Sequence, residues 1–299
     1  MTRPRPLSRS ALGRPARLLP AAAAAAVVAL APAAAAGDPS SFRVMSYNIR
    51  VDVPADNPPW SERRPHLANQ IAFLDPDLLG LQEALPHQVA YLAERLPLHD
   101  HYGVGRDDGR VGESAALFWR RDRYESLRTE TFWCSPTPAV PSKGWDAAYP
   151  RTVTRVVLRD RRDGRLLDVR NTHFDHVGVV AREQCAELVS TLAPAELDGA
   201  RAEVVLMGDF NTGPDTAPYR RIVAAGLRDA RTVSPVDFGP AGTFNAFDIA
   251  NDNGGVAIDH VFVSPGLAVE RFAVPTDSFG GRVISDHFPV VADLTPVRR

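Results

Sequence analysis

Runs of apolar residues recur along this chain at the length of buried strands, and several of them stop at, or start from, a polar residue. FRVMSYN at residues 42–48 closes on Asn48, DLLGLQE at 77–83 closes on Glu83, and the run at 165–172 continues into NTHFDH with His173. EVVLMGDFN, residues 203–211, is apolar from Val204 to Met207, places a turn glycine at Gly208 and ends in Asp209, Phe210 and Asn211. Two later runs begin with polar groups instead. AIDHVFVS at 257–264 carries Asp259 near its start, and HFPVVADL at 287–294 is opened by Ser285, Asp286 and His287. Short apolar runs bounded by turn residues read as strands buried on both faces. If the later strands run antiparallel to the earlier ones, their starts share an edge with the others' ends. A mixed sheet then gathers all six polar clusters at one rim.

The intervening segments predict helices. Ser61 is placed to cap a helix over 62–73, where Leu67, Ile71 and Leu74 keep helical spacing, Pro86 opens another through Arg95, and two more cover 179–193 and 216–225. Further strands are predicted at 114–120, 127–134, 268–274 and 152–159, the last joined to 165–172 by a hairpin turn at Arg162-Asp163-Gly164. Residues 135–150 hold four prolines without periodicity and predict a long ordered surface loop, a kind of segment that often carries function. No internal repeat or linker interrupts the pattern, so residues 37–299 read as one domain.

The N-terminus changes the picture of where the protein works. Arg3, Arg5, Arg9, Arg14 and Arg17 precede an apolar run from Leu18 to Leu30, and Ala34-Ala35-Ala36 follow. This layout predicts a secretory signal peptide over residues 1–36, cleaved near Ala36, and a secreted or cell-envelope protein. A membrane anchor competes less well, because alanine is weakly apolar and Pro20 and Pro32 bracket the run. Removal of the leader takes five of the 34 basic residues and none of the 36 acids, which moves the formal charge from -2 to -7. A chain of that charge offers no broad electrostatic footprint for long duplex DNA, although a local basic patch stays open. Cys134 and Cys185 would both meet an oxidising compartment, as one disulfide or as two separate buried thiols.

Each polar cluster has an ordinary explanation as a turn residue or a satisfied strand end. Six of them, each tied to an apolar run, point to chemistry instead. The set suits hydrolysis of a phosphoester. A hard divalent cation such as Mg²⁺, with Mn²⁺ as a substitute, prefers carboxylate oxygens, and Glu83 and the aspartates supply them. Neutral Asn and His donate hydrogen bonds to the same phosphate, and His287 paired with Asp259 fits a group that handles a proton. Zinc is disfavoured, since the histidines lack metal-ligand spacing.

MSYNIR, LQE, NTHFDH, GDFN, IDHVFVS and SDHFPVV resemble the successive motifs of the endonuclease/exonuclease/phosphatase superfamily, in order, from Phe42 to Leu294. That superfamily includes pancreatic-type deoxyribonucleases, abasic-site endonucleases, neutral sphingomyelinases, inositol polyphosphate 5-phosphatases and poly(A) deadenylases. The resemblance implies an α/β fold of two mainly antiparallel or mixed sheets packed as a sandwich and flanked by helices, a four-layer, deoxyribonuclease-like architecture. It implies Glu83 as the principal Mg²⁺ ligand with Asn48 beside it, and Asp286 completing the carboxylate shell. His173 would bond the scissile phosphate, Asp209 and Asn211 would orient the attacking water, and Asp259 would hold His287. Whether Asp209 or His287 is the general base is left open. Arg50 stands where abasic-site endonucleases carry an aspartate, which argues against that branch. The segments around Trp145, Arg151 and Thr243-Phe244-Asn245 instead look like a bacterial, often secreted branch.

Arg106, in a Gly/Asp loop, and Arg151, just before a strand, are candidate phosphate-binding residues, and Trp145 and Tyr149 either stack on a ligand or anchor their loop. The expected protein is thus a secreted, monomeric phosphoesterase that uses direct water attack. Its substrate is a nucleic acid, a lipid headgroup or a small organophosphate. A nuclease proper, of deadenylase-like exonuclease or non-specific endonuclease type, is the alternative, and a non-catalytic binding protein a minor one.

Overall fold

Side chains on a strand alternate between two faces, and here the central strands are buried on both faces, so each sheet must be covered twice. The computed structural model describes residues 40–297, and the leader expected over residues 1–36 lies outside the described residues. The chain begins with β1 (Phe42–Asn48), α1 (Trp60–Leu74), β2 (Leu78–Gln82), α2 (Pro86–Arg95), β3 (His99–Tyr102), β4 (Leu117–Arg120) and β5 (Tyr124–Trp133). It continues through β6 (Thr152–Asp160), β7 (Leu166–His173), α3 (Val179–Thr191), the short pair β8 (Glu196–Leu197) and β9 (Ala200–Arg201), β10 (Glu203–Asp209) and α4 (Ala217–Ala224). The last part holds β11 (Arg228–Asp229), α5 (Ala230–Val233), β12 (Asp237–Phe238), β13 (Asp259–Val263), β14 (Leu267–Ala273), β15 (Ser278–Phe279), β16 (Arg282–Val283) and β17 (Val290–Pro296).

Two large mixed sheets result, in the strand orders β12-β14-β17-β1-β2-β4-β3 and β11-β13-β10-β7-β6-β5. Phe42 and Val44 of β1 share one core with Val205 and Met207 of β10 and Val261 and Val263 of β13, between the sheets. The opposite face of β1, Met45 and Tyr47, packs on Leu67 and Ile71 of α1 and Leu92 of α2. Val204 and Leu206 pack on Cys185 and Val189 of α3 and on Tyr219 and Ile222 of α4. The layers are therefore helix, sheet, sheet, helix. Leu67 and Ile71 are fully buried, and each stabilises the outer layer by about 1.5–3 kcal/mol. Leu67→Ala or Ile71→Ala would remove that contribution and loosen α1.

Several boundaries differ from the sequence reading. α1 starts at Trp60, with Pro59 at the N-cap, because Glu62 N and Arg63 N both bond Pro59 O; Ser61 lies inside the first turn and caps nothing. β4 starts at Leu117 rather than residue 114, and Ser114 bridges Ala84 instead. β17 starts at Val290, which leaves His287 ahead of the strand in a bridge with Phe244. β3, whose HDHY carries no apolar pattern, pairs at the sheet edge, where one face needs no core. Gly208 belongs to a strand and not to a turn. A Cβ there would stand 2.2 Å from Thr172 O, so glycine lets β10 approach β7. Cys134 and Cys185 form a disulfide, which ties the end of β5 to α3. No helix among the described residues is long and apolar enough to cross a membrane.

Candidate active site

The alternation that fills the inter-sheet core also delivers the polar strand ends. Val44, Val169, Val205 and Val261 point between the sheets. Asn48, His173, Asp209 and Asp259 lie an even number of residues from them and continue the same faces. β1 runs parallel to β2, and β7 to β10, while β17 is antiparallel to β1 and β13 to β10. The ends of the first four strands and the starts of the last two therefore share a rim. Beneath the polar ends, Gln82 Nε2 donates to Asn171 Oδ1 at 2.7 Å, linking the two sheets. Glu83 departs from alternation. Its parity would send it to the helix side, but a left-handed backbone, φ 62°, ends the strand, and the residue lines the cavity.

Glu83, His173, Asp209, Asn211, Asp286 and His287 line one cavity of about 590 Å³, with Arg50, Arg106, Tyr149 and Arg151 on its walls. Asn48 and Asp259 support it. Asn48 Nδ2 donates to Glu83 Oε1 and to Asp209 Oδ2, both at 3.0 Å, while its Oδ1 accepts from Arg50 N. Asn48, expected on the metal side, thus spends its oxygen on the backbone and orients two carboxylates. His287 Nδ1 lies 2.8 Å from Asp259 Oδ2, and the Thr243 hydroxyl donates to that same oxygen at 2.6 Å. On the other side, His287 Nε2 is 3.7 Å and His173 Nε2 3.4 Å from Asp209 Oδ2. Asn211, at φ 48°, donates its backbone N–H to Asp209 Oδ1 at 2.9 Å and its side-chain amide to Phe174 O at 3.0 Å.

These neighbours push the titrating groups apart. Burial, reinforced by Arg151 and Arg106, holds His173 well below the usual histidine pKa, so its ring is neutral. Burial also opposes charge on His287, but Asp259 and Asp209 outweigh it and hold that ring well above its usual pKa. Asp209 is pushed up to about 7 by burial and then by the charge of Asp259. Burial raises Asp286, and Glu83 adds to the rise. Groups displaced in opposite directions within one cavity are the usual mark of acid and base assignments.

Glu83 and Asp286 are two carboxylates facing one cavity, and the charge of Glu83 makes Asp286 costlier to ionise. A hard divalent cation relieves that repulsion, so the residues present fit one. Asp209, Asp259 and His287 also bring possible ligand atoms within 4.8 Å of one another. Because Asp259 only accepts, Nδ1 of His287 carries a proton; Asp259 and His287 are held together by a hydrogen bond without an ion, and Asp209 stands 3.7 Å from the other ring nitrogen.

The two arginines differ. Arg106 donates to Glu113 Oε2 at 2.6 Å and lies 4.7 Å over the Tyr149 ring. Arg151 is 4% exposed, donates to Asp175 Oδ2 at 3.3 Å and meets His176 Nδ1 at 3.0 Å. Arg151 is therefore locked into the wall. Asp175, which the sequence reading passed over, organises that wall by also accepting from the backbone N–H groups of Ala148, Tyr149, Val177 and Gly178. Its place two residues after His173 in NTHFDH was the available signal. Thr243 was visible only as part of a loop. Tyr149 lines the cavity and Trp145 stands outside that lining, 41% exposed.

The model of the Endonuclease/Exonuclease/phosphatase family matches residues 45–287. A solved structure of an endonuclease/exonuclease/phosphatase family protein from Bacteroides thetaiotaomicron is 36% identical, with a TM-score of 0.81, over 86% of this chain and 98% of that one. The mannosyl-6-phosphatase of Bacteroides thetaiotaomicron is also 36% identical, with a TM-score of 0.80, over 85% of this chain and 99% of that one. Among curated proteins, Protein angel of Drosophila melanogaster is 24% identical over 201 residues, 62% of this chain and 56% of its own length. The chain spans little more than half the length of the curated relatives it matches.

Proposed function

Because the chain belongs to the endonuclease/exonuclease/phosphatase family, whose members hydrolyse phosphoesters, we propose that it is an exported, monomeric, Mg²⁺-dependent phosphomonoesterase acting on a phosphorylated sugar. The observation that carries this reading is the cavity. At about 590 Å³ it falls in the range of small-molecule sites, and its proton-handling groups face the carboxylate pair. Likeness to a mannosyl-6-phosphatase across nearly the whole of that protein supports a sugar phosphate, and the net charge, -2 for the full chain and -7 once the expected leader is removed, argues against a long polyanion. The disulfide fits an exported protein, which is expected to begin near Gly37.

Glu83 and Asp286 would hold the cation, which neutralises phosphate oxygens when bound. Neutral His173 donates a hydrogen bond to one phosphate oxygen and cationic His287 to another. Asp209, with its pKa near 7, takes the proton of the attacking water, which Asn211 helps to orient; the bond to the sugar oxygen breaks in line, and that oxygen leaves as a hydroxyl with the proton that Asp209 gives up. Arg106 contributes positive charge from the wall, and Arg151 holds the wall in place. Exposed Tyr149 and Trp145 favour a second reading, stacking of a base in a single-stranded nucleic acid.

The test is turnover of mannose 6-phosphate, p-nitrophenyl phosphate, bis-p-nitrophenyl phosphate and a single-stranded oligonucleotide, with Mg²⁺ and with EDTA. Release of inorganic phosphate from the sugar phosphate, abolished by EDTA, is expected. Cleavage of the oligonucleotide without sugar phosphatase activity would replace this reading with the second.

A further inference from the structure

On the helix side of β10 and β13 lies a buried polar chain that the roles above leave unused. Alternation sends His260 to the face opposite Asp259, where its ring centroid is 5.7 Å from Phe210 and 5.2 Å from Tyr219. His260 Nδ1 is 3.1 Å from Asp229 Oδ2, and Nε2 is 3.1 Å from Thr212 O. Tyr219 Oη donates to the same Asp229 oxygen at 3.0 Å, and Arg231 N donates to the other at 2.8 Å. A carboxylate and a carbonyl only accept, so both ring nitrogens carry protons. Burial opposes the resulting charge, but the hydrogen bond and charge of Asp229 outweigh it and hold the ring above its usual pKa.

A histidine satisfied on both sides is ordinarily a piece of core. Here the second acceptor matters. Thr212 follows Asn211, whose left-handed backbone persists only where its surroundings fix it, and Asn211 N–H donates to Asp209 Oδ1 at 2.9 Å. We propose that His260 is a positioning residue: Tyr219, Asp229 and His260 fix the Thr212 carbonyl, hence the turn at Asn211, and through the Asn211 N–H they aim the Asp209 carboxylate. The outer helix layer thereby sets the orientation of the group that takes the proton. A substituted Asp229 or His260 would leave the cavity lining intact and misdirect one carboxylate within it.

The inference rests on the phosphoesterase reading, so kcat and KM are measured on both p-nitrophenyl phosphate and bis-p-nitrophenyl phosphate. Turnover of the diester alone would sink the monoester reading and still leave the variant comparison readable. His260→Gln keeps a donor near the place of Nε2, facing Thr212 O; His260→Asn keeps one near Nδ1, facing Asp229. Loss of aim is expected to cost His260→Asn about tenfold or more in kcat with KM within about twofold, while His260→Gln stays within about threefold of wild type. Both variants should lose similar thermal stability, so a merely structural role predicts equal kcat. Equal kcat, or kcat that tracks Tm across the pair, would overturn the inference. If His260→Asn does not fold, Tyr219→Phe decides, since it removes one hydroxyl from Asp229 and keeps His260 and its bond to Thr212 O in place. It is expected to lower kcat by about two- to fivefold at constant KM, and a wild-type kcat would count against the relay.

Discussion

Asp259→Asn probes how this site holds its protons. Asp259 Oδ2 accepts from His287 Nδ1 at 2.8 Å and from the Thr243 hydroxyl at 2.6 Å, at a position 1% exposed. Unit charges at that separation attract by about 6 kcal/mol at an effective dielectric constant of ~20. Desolvation of the carboxylate offsets part of this, leaving on the order of 3 kcal/mol as its hold on the imidazolium. Asparagine keeps the shape and one hydrogen-bonding oxygen but not the charge. His287 is held above its usual pKa, so its charged form is present below the folded pKa and lost as pH rises through it. Without the aspartate that loss comes earlier. The alkaline limb of kcat/KM should move about two units to lower pH, and at a fixed pH on that limb activity should fall by up to about 100-fold. The assay is the pH profile of kcat/KM for p-nitrophenyl phosphate, alongside NMR titration of the His287 ring. A limb within about 0.3 unit of wild type would refute the role of His287 as a cationic donor.

Three further outcomes are expected. Asp175 sits below the usual carboxylate range because, against the cost of burial, backbone N–H groups and Arg151 favour its charged form; its stabilisation is present above the unfolded carboxylate pKa and lost as pH falls through the depressed one. Asp175→Asn should cost about 2–4 kcal/mol at pH 7 by urea unfolding and progressively less under acid, and a cost that does not shrink would contradict this account. Glu83→Gln should raise the Mg²⁺ concentration for half-maximal activity by more than about tenfold, and an unchanged requirement would move the cation to the Asp209, Asp259 and His287 trio. Gly80→Ala would put a Cβ 2.6 Å from Met207 Sδ and 2.9 Å from Asn171 Cγ, where the sheets meet. A loss of about 1–3 kcal/mol is expected in thermal unfolding, and an unchanged Tm would disprove the close approach.

The sequence by itself determined the central strands and the identity of their polar ends, because burial on both faces leaves a largely apolar run, broken in β7 by the paired Asp168 and Arg170, that stops where the chain re-enters a polar cleft. It located Asn48, Glu83, His173, Asp209 and Asp259 at strand ends, with His287 just ahead of β17, and the parallel and antiparallel pairings put those ends at one rim. The edge strand β3 left no such trace, since a strand with little to bury has no pattern to show. Only the tertiary structure decided the partners. Which carboxylates the Asn48 amide reaches, what ties Arg151 into the cavity wall, and whether Cys134 meets Cys185 depend on contacts between residues far apart in the chain. Asp175, Thr243 and His260 are the clearest cases. Each lies beside a residue the pattern singled out, or in a loop it could not read, and acts through a hydrogen bond that periodicity does not encode. Alternation fixes which face a side chain takes, and only packing fixes what it meets there.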